Sequence, residues 1–434
     1  METEHFSLTS TLEAQWGADK LHRLRQIGEI AAERNTNVYL VGGAVRDLFL
    51  QRPSPDLDIA VEGDVGDLVA ALKTHMVGAQ SRFHPQFGTA VLRDNEGFEW
   101  DLARCRLESY PAPAALPEVR PGDIHADLIR RDFSINAMAL CLNPPQFGSL
   151  LDPYGGRLDL QRGVLRVLHP RSFVDDPTRI LRGLRFATRF QFEWAPSTRH
   201  YLLEALQKNI FAQLSGARLW RELQYLLELT DLSAALQHLS DLQLWFLLRP
   251  VPADVDALRE QVQRGQKGVL WLKDQFPDRS IAVANLMLML LWSDVPQSEI
   301  QRRLTQWPVP DPHTLLKDLQ CLKNIATTLA QALRPSQQAR VWQGCSVAGI
   351  LAAIAANPDN AALCNSGRLY LREQRQVSSP LSGHELQNLG LKPGPALGNV
   401  LVMLHDARLD GEITDKESAH QWLIKQGILP STPA

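Results

Sequence analysis

The chain has five cysteines in 434 residues, Cys105, Cys141, Cys321, Cys345 and Cys364, and no Cys-x-x-Cys. That excludes a zinc knuckle and a redox pair. A sparse, odd set fits a reducing cytoplasm rather than a disulfide scaffold. No apolar run reaches the ~20 residues needed to cross a bilayer. The longest, from about Ile281 to Trp292, predicts a buried helix and no membrane partner. Met1 to Lys20 is polar and carries acids, so no signal peptide is expected. Internal repeats and low-complexity segments are missing, as is a strongly basic C-terminal tail. The net charge of −3 does not announce a polyanion partner. With 44% hydrophobic and 21% charged residues, the chain has the composition of a globular protein, and its length predicts two to four domains.

Against these absences stands one dense stretch, residues 40–61. A strand-like run, Asn37 to Val41, ends in Gly42-Gly43, and a short apolar helix pattern follows from Ala44 to Leu50. A Pro-broken loop leads to Asp56 and Asp58, separated by one residue, at the start of a second strand-like run. Glycines at a strand end let backbone N–H groups approach phosphate closely. Arg46, in the first helical turn, is placed to meet the same anion. Side chains at i and i+2 of a strand share a face, and two adjacent carboxylates repel unless a cation lies between them. Such a pair of hard oxygen ligands suits Mg²⁺ holding a nucleoside triphosphate. A dinucleotide-binding turn is excluded because its third glycine is missing and the acids come too early.

The pattern from about Leu12 to Pro153 is mixed α/β. β-rich runs occur at Val38–Val41, Leu57–Val61, Thr89–Leu92 and Phe98–Ala103, and helical patterns at Leu12–Glu33, Gly66–His75 and His125–Leu140. After Asp159 strand signals nearly vanish and amphipathic helices follow one another to the end, with breaks at 249–252, 308–312 and 378–383. Ser109–Gly122 is Pro-rich and predicts a mobile loop.

Asp101, in the alternating run 98–103, makes a third carboxylate if it faces Asp56 and Asp58; three acids around one or two cations suit two-metal nucleotidyl transfer. Arg130-Arg131-Asp132 at the head of the helix pattern 125–140 puts cations at the wrong end of a helix dipole, which asks for a compensating anion: a triphosphate or a neighbouring carboxylate. In the helix pattern 175–190, Asp175 or Asp176 can cap and Pro177 fits the first turn. Arg179, Arg182, Arg185 and Arg189 then share one stripe. Four like charges on one face repel unless they face an anion. From Leu128 to Tyr225 there are 14 Lys/Arg and 8 Asp/Glu, so this segment is the expected polyanion surface. His405-Asp406 imitates a metal phosphohydrolase dyad but has no upstream His at a suitable spacing and reads as surface.

Together, Leu40–Asp47, Asp56–Asp58, Phe98–Arg106, Arg130–Leu140, Asp152–Leu160 and Val174–Phe190 resemble, in order, the class II CCA tRNA nucleotidyltransferase / bacterial poly(A) polymerase family. Gly216–Leu223 is a weaker match, and Ser382–Gly398 looks like a segment near the end of such enzymes. The resemblance implies a seahorse-like build: an α+β nucleotidyltransferase head (residues 1–155), then an all-α neck (156–250), body (251–375) and tRNA-binding tail (376–434). It implies Asp56 and Asp58 as the metal pair, with Asp101 beside them, and Gly43, Arg46 and Arg131 as nucleotide-binding positions alongside Gly42. It implies Asp176 and Arg179 as the protein template that reads the incoming base, flanked by Arg182 and Arg185. The expected activity is addition of C, C and A from CTP and ATP to the tRNA 3′ end, with Mg²⁺. A CC-only or A-only enzyme and a poly(A) polymerase share that chemistry. The family's usual Glu before the template Asp is Asp175 here. The loop that in this family helps the switch from C to A, Ser109–Gly122, carries one basic residue, Arg120. A small-molecule nucleotidyltransferase would not need the arginine stripe and the long helical half, and an RNA-binding protein with an inactive head would not need Asp56, Asp58, Asp101 and Arg131.

Overall fold

The computed structural model describes residues 7–54, 56–76, 78–251 and 254–430. Parts of the polar N-terminal stretch, of the break at 249–252 and of the C-terminal end lie outside the described residues. The chain divides into two compact units, Met1–Glu222 and Leu223–Ala434.

The first unit opens with α1 (Thr9–Glu33), β1 (Asn37–Val41), α2 (Gly43–Phe49), β2 (Asp58–Glu62) and α3 (Val65–His75). There follow β3 (Gln80–His84), β4 (Thr89–Arg93), β5 (Glu99–Arg104), β6 (Arg106–Ser109), β7 (Glu118–Pro121) and α4 (Ile124–Ile129). It continues with β8 (Ala139–Cys141), β9 (Leu150–Leu151), α5 (Gly156–Arg162), β10 (Val164–Leu165), α6 (Ser172–Asp175) and α7 (Thr178–Phe190), then β11 (Glu193–Trp194), α8 (Pro196–Gln207) and α9 (Gly216–Leu227). Seven strands form one mixed sheet in the order β3-β4-β5-β2-β1-β8-β9. Its one parallel pairing joins β2 to β5 and sets Asp58 opposite Asp101. Along β5 burial alternates: Trp100 and Leu102 go into the core while Glu99 and Asp101 stay exposed, as one-sided burial of a strand demands. Each such buried large side chain stabilises by about 1.5–3 kcal/mol.

The sequence and the structure part ways at four places. The helix expected over 125–140 stops at Ile129; a 3₁₀ turn, Ser134–Asn136, and strand β8 replace the rest. Ala139 and Leu140 pair with Val41 and Leu40 of β1 deep in the sheet, and this tertiary pairing overrides a local helical pattern. Arg130 and Arg131 therefore follow a helix C-terminus, where cations are favoured, rather than heading a helix. The stretch 109–122 is not all loop, because β6 and β7 form a hairpin that encloses it. Strand β3 gave no signal because it is an edge strand with no fully buried position. Strand β2 begins at Asp58, so Asp56 precedes it and strand alternation does not govern Asp56.

Asp64 caps α3 by accepting from Asp67 N–H at 3.1 Å, and Asp123 caps α4 by accepting from Ala126 N–H at 2.8 Å. Helix α7 buries Ile180, Leu181, Leu184, Phe186, Ala187 and Phe190. At Gly183 it comes so close to Trp194 and Phe133 that a Cβ would lie 2.2 Å from the Trp194 ring.

The second unit is helical. It contains α10 (Leu232–Asp241), α11 (Val255–Gln275), α12 (Val283–Trp292), α13 (Gln297–Gln306), α14 (Pro312–Gln331), α15 (Pro335–Gln343), α16 (Val347–Ala356) and α17 (Ala361–Arg372). The chain ends in α18 (Gly383–Asn388), α19 (Pro395–Leu409) and α20 (Lys416–Lys425). The apolar run at 281–292 is a helix buried from Ala284 to Trp292, as expected. Residues 381–429 pack around their own apolar cluster, which includes Leu386, Leu404 and Leu423. His405 and Asp406 lie on α19, where Asp406 pairs with Arg340. Among the described residues no single helix is long and apolar enough to cross a membrane.

Candidate functional site

A cleft of about 1000 Å³ opens in the first unit, with β2, β4 and β5 along one wall and α7 and α9 supplying side chains to the other. Eight arginines and six carboxylates line it, a surplus of positive charge in a chain that is net acidic. Asp58 and Asp101 sit side by side on the sheet wall. Crowding by protein atoms raises the Asp58 pKa; Arg131 opposes this, and the charges of Asp101 and Asp56 reinforce it. Asp101 is raised likewise by desolvation, then by Glu99 and Asp56. Asp56 is exposed and does not line the cleft, but its charge reaches both partners.

Among the described residues no three His, Cys, Asp or Glu side chains stand close enough to hold a metal ion by themselves. The donor set still suits Mg²⁺, which is commonly held by one or two carboxylates together with substrate phosphates and water rather than by a full protein cage. Two adjacent carboxylates whose proton affinity is raised first by desolvation and then by neighbouring acids form such a set.

The glycine turn supports the same wall. Gly42 has φ 70°, a left-handed conformation that costs most side chains about 1–2 kcal/mol. A Cβ there would lie 2.6 Å from Arg131 Nη1 and 4.0 Å from Asp58 Oδ2. The turn thus brings bare backbone, Arg131 and Asp58 together. Arg131 donates to Asp127 Oδ2 at 2.8 Å, and its buried Nε has no hydrogen-bond partner among the described residues. Asp127 also accepts from Arg130. Burial pushes the Asp127 pKa up, but Arg131 and Arg130 outweigh it and leave the carboxyl below the ordinary range.

Arg46 lines the cleft beside Gly43, yet its guanidinium is largely engaged inside the protein. It donates to both Asp47 oxygens at 2.9 Å and to Asn136 Oδ1 at 2.7 Å, and it lies over Phe186 and Phe190. The arginine stripe of α7 is compensated in the same way. Arg182 donates twice to Asp132 Oδ2, at 2.9 and 2.7 Å. Burial would raise the Asp132 pKa; the Arg182 charge and four hydrogen bonds hold it at about 2. Arg185 lies 3.5 Å from Glu222. Arg182 and Arg185 of the stripe therefore face two buried carboxylates, Asp132 and Glu222, which are distant from them in sequence.

The expected base-reading pair stands on the helical wall. Asp176 Oδ1 accepts from Thr178 N–H at 3.0 Å, from Thr178 Oγ1 at 2.6 Å and from Arg218 Nη2 at 2.9 Å, while among the described residues no hydrogen bond reaches Oδ2. Asp176 is the residue that ties down the start of α7; Asp175 instead accepts from Arg171. Arg179 is buried and donates to Ser172 Oγ at 2.7 Å and to the Arg130 carbonyl at 2.6 Å. Sequence reasoning missed Arg218, whose only signal was the weak match at 216–223. Its Nη1 donates to the Ala114 carbonyl at 2.6 Å, so one guanidinium joins Asp176 to the tip of the β6–β7 loop. Ala114 is buried, has φ 58° and donates its N–H to the Val174 carbonyl at 3.1 Å. The loop expected to be mobile is docked at its tip.

Comparison with known proteins bears on the family and the fold. Residues 38–166 match the family model of the poly A polymerase head domain. The chain is 32% identical over 420 residues to an A-adding tRNA nucleotidyltransferase of Halalkalibacterium halodurans, covering 93% of this chain and 92% of that one. It is 33% identical over 379 residues to a CC-adding tRNA nucleotidyltransferase of Deinococcus radiodurans, covering 87% and 86%. The Thermotoga maritima CCA-adding enzyme solved in complex with tRNA is similar with a TM-score of 0.74 at 27% identity, over 97% of this chain and 98% of that one.

Proposed function

We propose, for a chain that belongs to the family of tRNA nucleotidyltransferases and bacterial poly(A) polymerases, that it adds C, C and A to the tRNA 3′ end from CTP and ATP without a nucleic-acid template. The observation that carries this is one cleft holding two sets of groups: the Asp58–Asp101 pair on the sheet, and Asp176 with Arg179 on the helical wall.

The tRNA 3′ oxygen attacks the α-phosphorus of the bound triphosphate. A phosphorus–oxygen bond forms to the ribose as the bond to the β-phosphate bridge breaks, and pyrophosphate leaves. Asp58 and Asp101, with Asp56 at the rim, would hold Mg²⁺, which when bound would ease loss of the 3′ hydroxyl proton to solvent and neutralise charge on the triphosphate. Arg131 and the bare backbone of Gly42-Gly43 bind and orient the triphosphate. Arg46 and Arg182 hold the walls through Asn136 and Asp132.

Base choice rests on Asp176 Oδ2. A carboxylate oxygen accepts from the exocyclic amine of C or A. G and U present no amine at the equivalent position, so they leave a buried group unpaired at a cost of about 1–3 kcal/mol. Arg179 donates from the N–H groups not used by Ser172 and Arg130.

The test is nucleotide incorporation into three RNAs: tRNA ending before CCA, tRNA ending in CC, and a random RNA. Addition of C, C and A to the first and A to the second, with none to the third, is the expected result. An A-only reading is favoured by the Halalkalibacterium relative, which matches nearly end to end, and a CC-only reading by the Deinococcus relative. Each gives its own pattern with the same substrates. Polymerisation on the random RNA would replace all of these with a poly(A) polymerase.

A further inference from the structure

We propose that a groove in the second unit, between α11 and α17, is a seat for the sugar–phosphate backbone of the RNA substrate. It rests on the reading that the chain acts on tRNA. The groove measures about 1140 Å³ and carries Arg264, Lys267, Arg368 and Arg372 along its sides, against Glu373 as the one lining acid.

Three observations converge on a polyanion. The first is charge placement. The unit Leu223–Ala434 has 19 Lys and Arg against 20 Asp and Glu, a net charge of −1, so four cations around one groove are a local concentration and not a property of the unit. The second is the lack of internal partners. Lys267 and Arg368 have no acid within 4 Å and no hydrogen bond among the described residues; Arg264 is partly engaged, donating from Nε to the Ala355 carbonyl at 2.9 Å and lying 3.6 Å from exposed Glu260. Arg368 and Arg372 are four residues apart on α17, where like charges repel each other without a counterion. The third is the nature of the floor and edge. Leu351 and Ile354 form an apolar base, and the Arg372 guanidinium lies over the Trp271 ring at 5.3 Å.

These features fit a ribose–phosphate strand better than a free inorganic anion. A small anion is satisfied by cations and N–H donors and gains nothing from an apolar floor. An RNA strand brings phosphates for Lys and Arg, ribose C–H surface for the floor, and exposed base faces for an aromatic or guanidinium plane.

The experiment measures tRNA affinity of the full chain between about 50 and 200 mM salt, the range over which neutralised phosphates are counted by the slope of log K against log salt, roughly 0.7–0.9 per contact. In Lys267→Ala/Arg368→Ala/Arg372→Ala the affinity is expected to fall about 10–100-fold and the slope to become shallower by about 2–3. The kcat at saturating tRNA and the preference among the four nucleotides stay as in the parent. An unchanged slope and affinity in a folded variant would overturn the groove. Arg368→Ala alone, an exposed single change, guards against misfolding of the triple variant. Its expected effect is a slope shallower by about one, and an unchanged slope there also counts against the proposal. The two readings fail separately: a parent that binds tRNA but incorporates no nucleotide defeats the assigned activity, while the salt slope still judges the groove.

Discussion

The two cavities handle arginine in opposite ways. In the sheet-walled cleft, six of the eight lining arginines, Arg46, Arg106, Arg130, Arg131, Arg182 and Arg218, have a carboxylate partner within 4 Å, and Arg179 is held by Ser172 and the Arg130 carbonyl. In the groove of the helical unit, Lys267 and Arg368 have none among the described residues, Arg372 lies on a Trp ring, and only Arg264 reaches an acid, exposed Glu260 at 3.6 Å. A charge tied to a buried partner has a fixed position and keeps its strength where water is excluded. A free surface charge is mobile and screened by salt, which suits a backbone recognised by shape. Fixed charge belongs where atoms react, and free charge where a large polyanion is held.

The largest break in this contrast should come from the acids of the cleft. Asp58→Ala is expected to lower nucleotide incorporation roughly 10³-fold, the scale seen when a charge-stabilising group of a transition state is removed. Binding of tRNA, measured in parallel, should hardly change. Full activity in this variant would remove Asp58 from the metal pair.

Next in size is the buried Asp132–Arg182 pair. Asp132→Asn should destabilise the protein by about 3 kcal/mol, because Arg182 loses its hydrogen-bonded counterion and keeps only Glu222 at 3.9 Å. The pH dependence follows from the sign of the shift. The Asp132 pKa is about 2 in the folded state, below the ordinary carboxylate value, so the folded state binds this proton less tightly than the unfolded chain. The pair's contribution is then complete above pH ~4 and is lost as pH falls toward 2, a span worth about 2 kcal/mol. Thermal unfolding between pH 5 and 2 should therefore drop less steeply in Asp132→Asn than in the parent.

A smaller effect sharpens the role of anchored charge in specificity. Arg218→Ala is expected to reduce discrimination between ATP or CTP and GTP or UTP about tenfold, the value of one charge-assisted hydrogen bond. Arg218→Lys, which retains a charge near Asp176, should recover part of it. Unchanged selectivity would mean that Thr178 alone fixes the carboxylate. Smallest is Gly42→Ala, which forces a side chain into a left-handed conformation against Arg131; a loss of about 1–2 kcal/mol in stability is expected from denaturant unfolding. A neutral result would show that the turn relaxes.

How much was legible from sequence follows from the range of each interaction. Helix α3, the four central strands β1, β2, β4 and β5, and the apolar helix α12 were readable because their patterns repeat within a few residues. Strand β3 was not, since an exposed edge buries no alternating face. The helix misread at 125–140 followed from a locally valid pattern that β-pairing with β1 overrides. Of the site residues named from sequence, Gly43, Arg46, Asp58, Asp101, Arg131, Asp176, Arg179 and Arg182 line the cleft, while Gly42, directly behind Arg131, and Arg185 and Asp56 do not. Asp56 was assigned to a strand that begins two residues later. Asn136, Arg218 and Glu222 went unnoticed because each acts on a residue far away in the chain.

By itself the sequence determined which segments carry chemistry: a Gly-Gly turn, an Asp-x-Asp step and an arginine-rich amphipathic helix are all written within one or two turns of chain. Only the tertiary structure decided that Asp58 stands beside Asp101, that Arg182 and Arg185 meet Asp132 and Glu222, and that Lys267 and Arg368 are left without acids among the described residues. Whether a charge is free or paired depends on residues brought together by sheet register and helix packing, and no spacing along the chain encodes that distance.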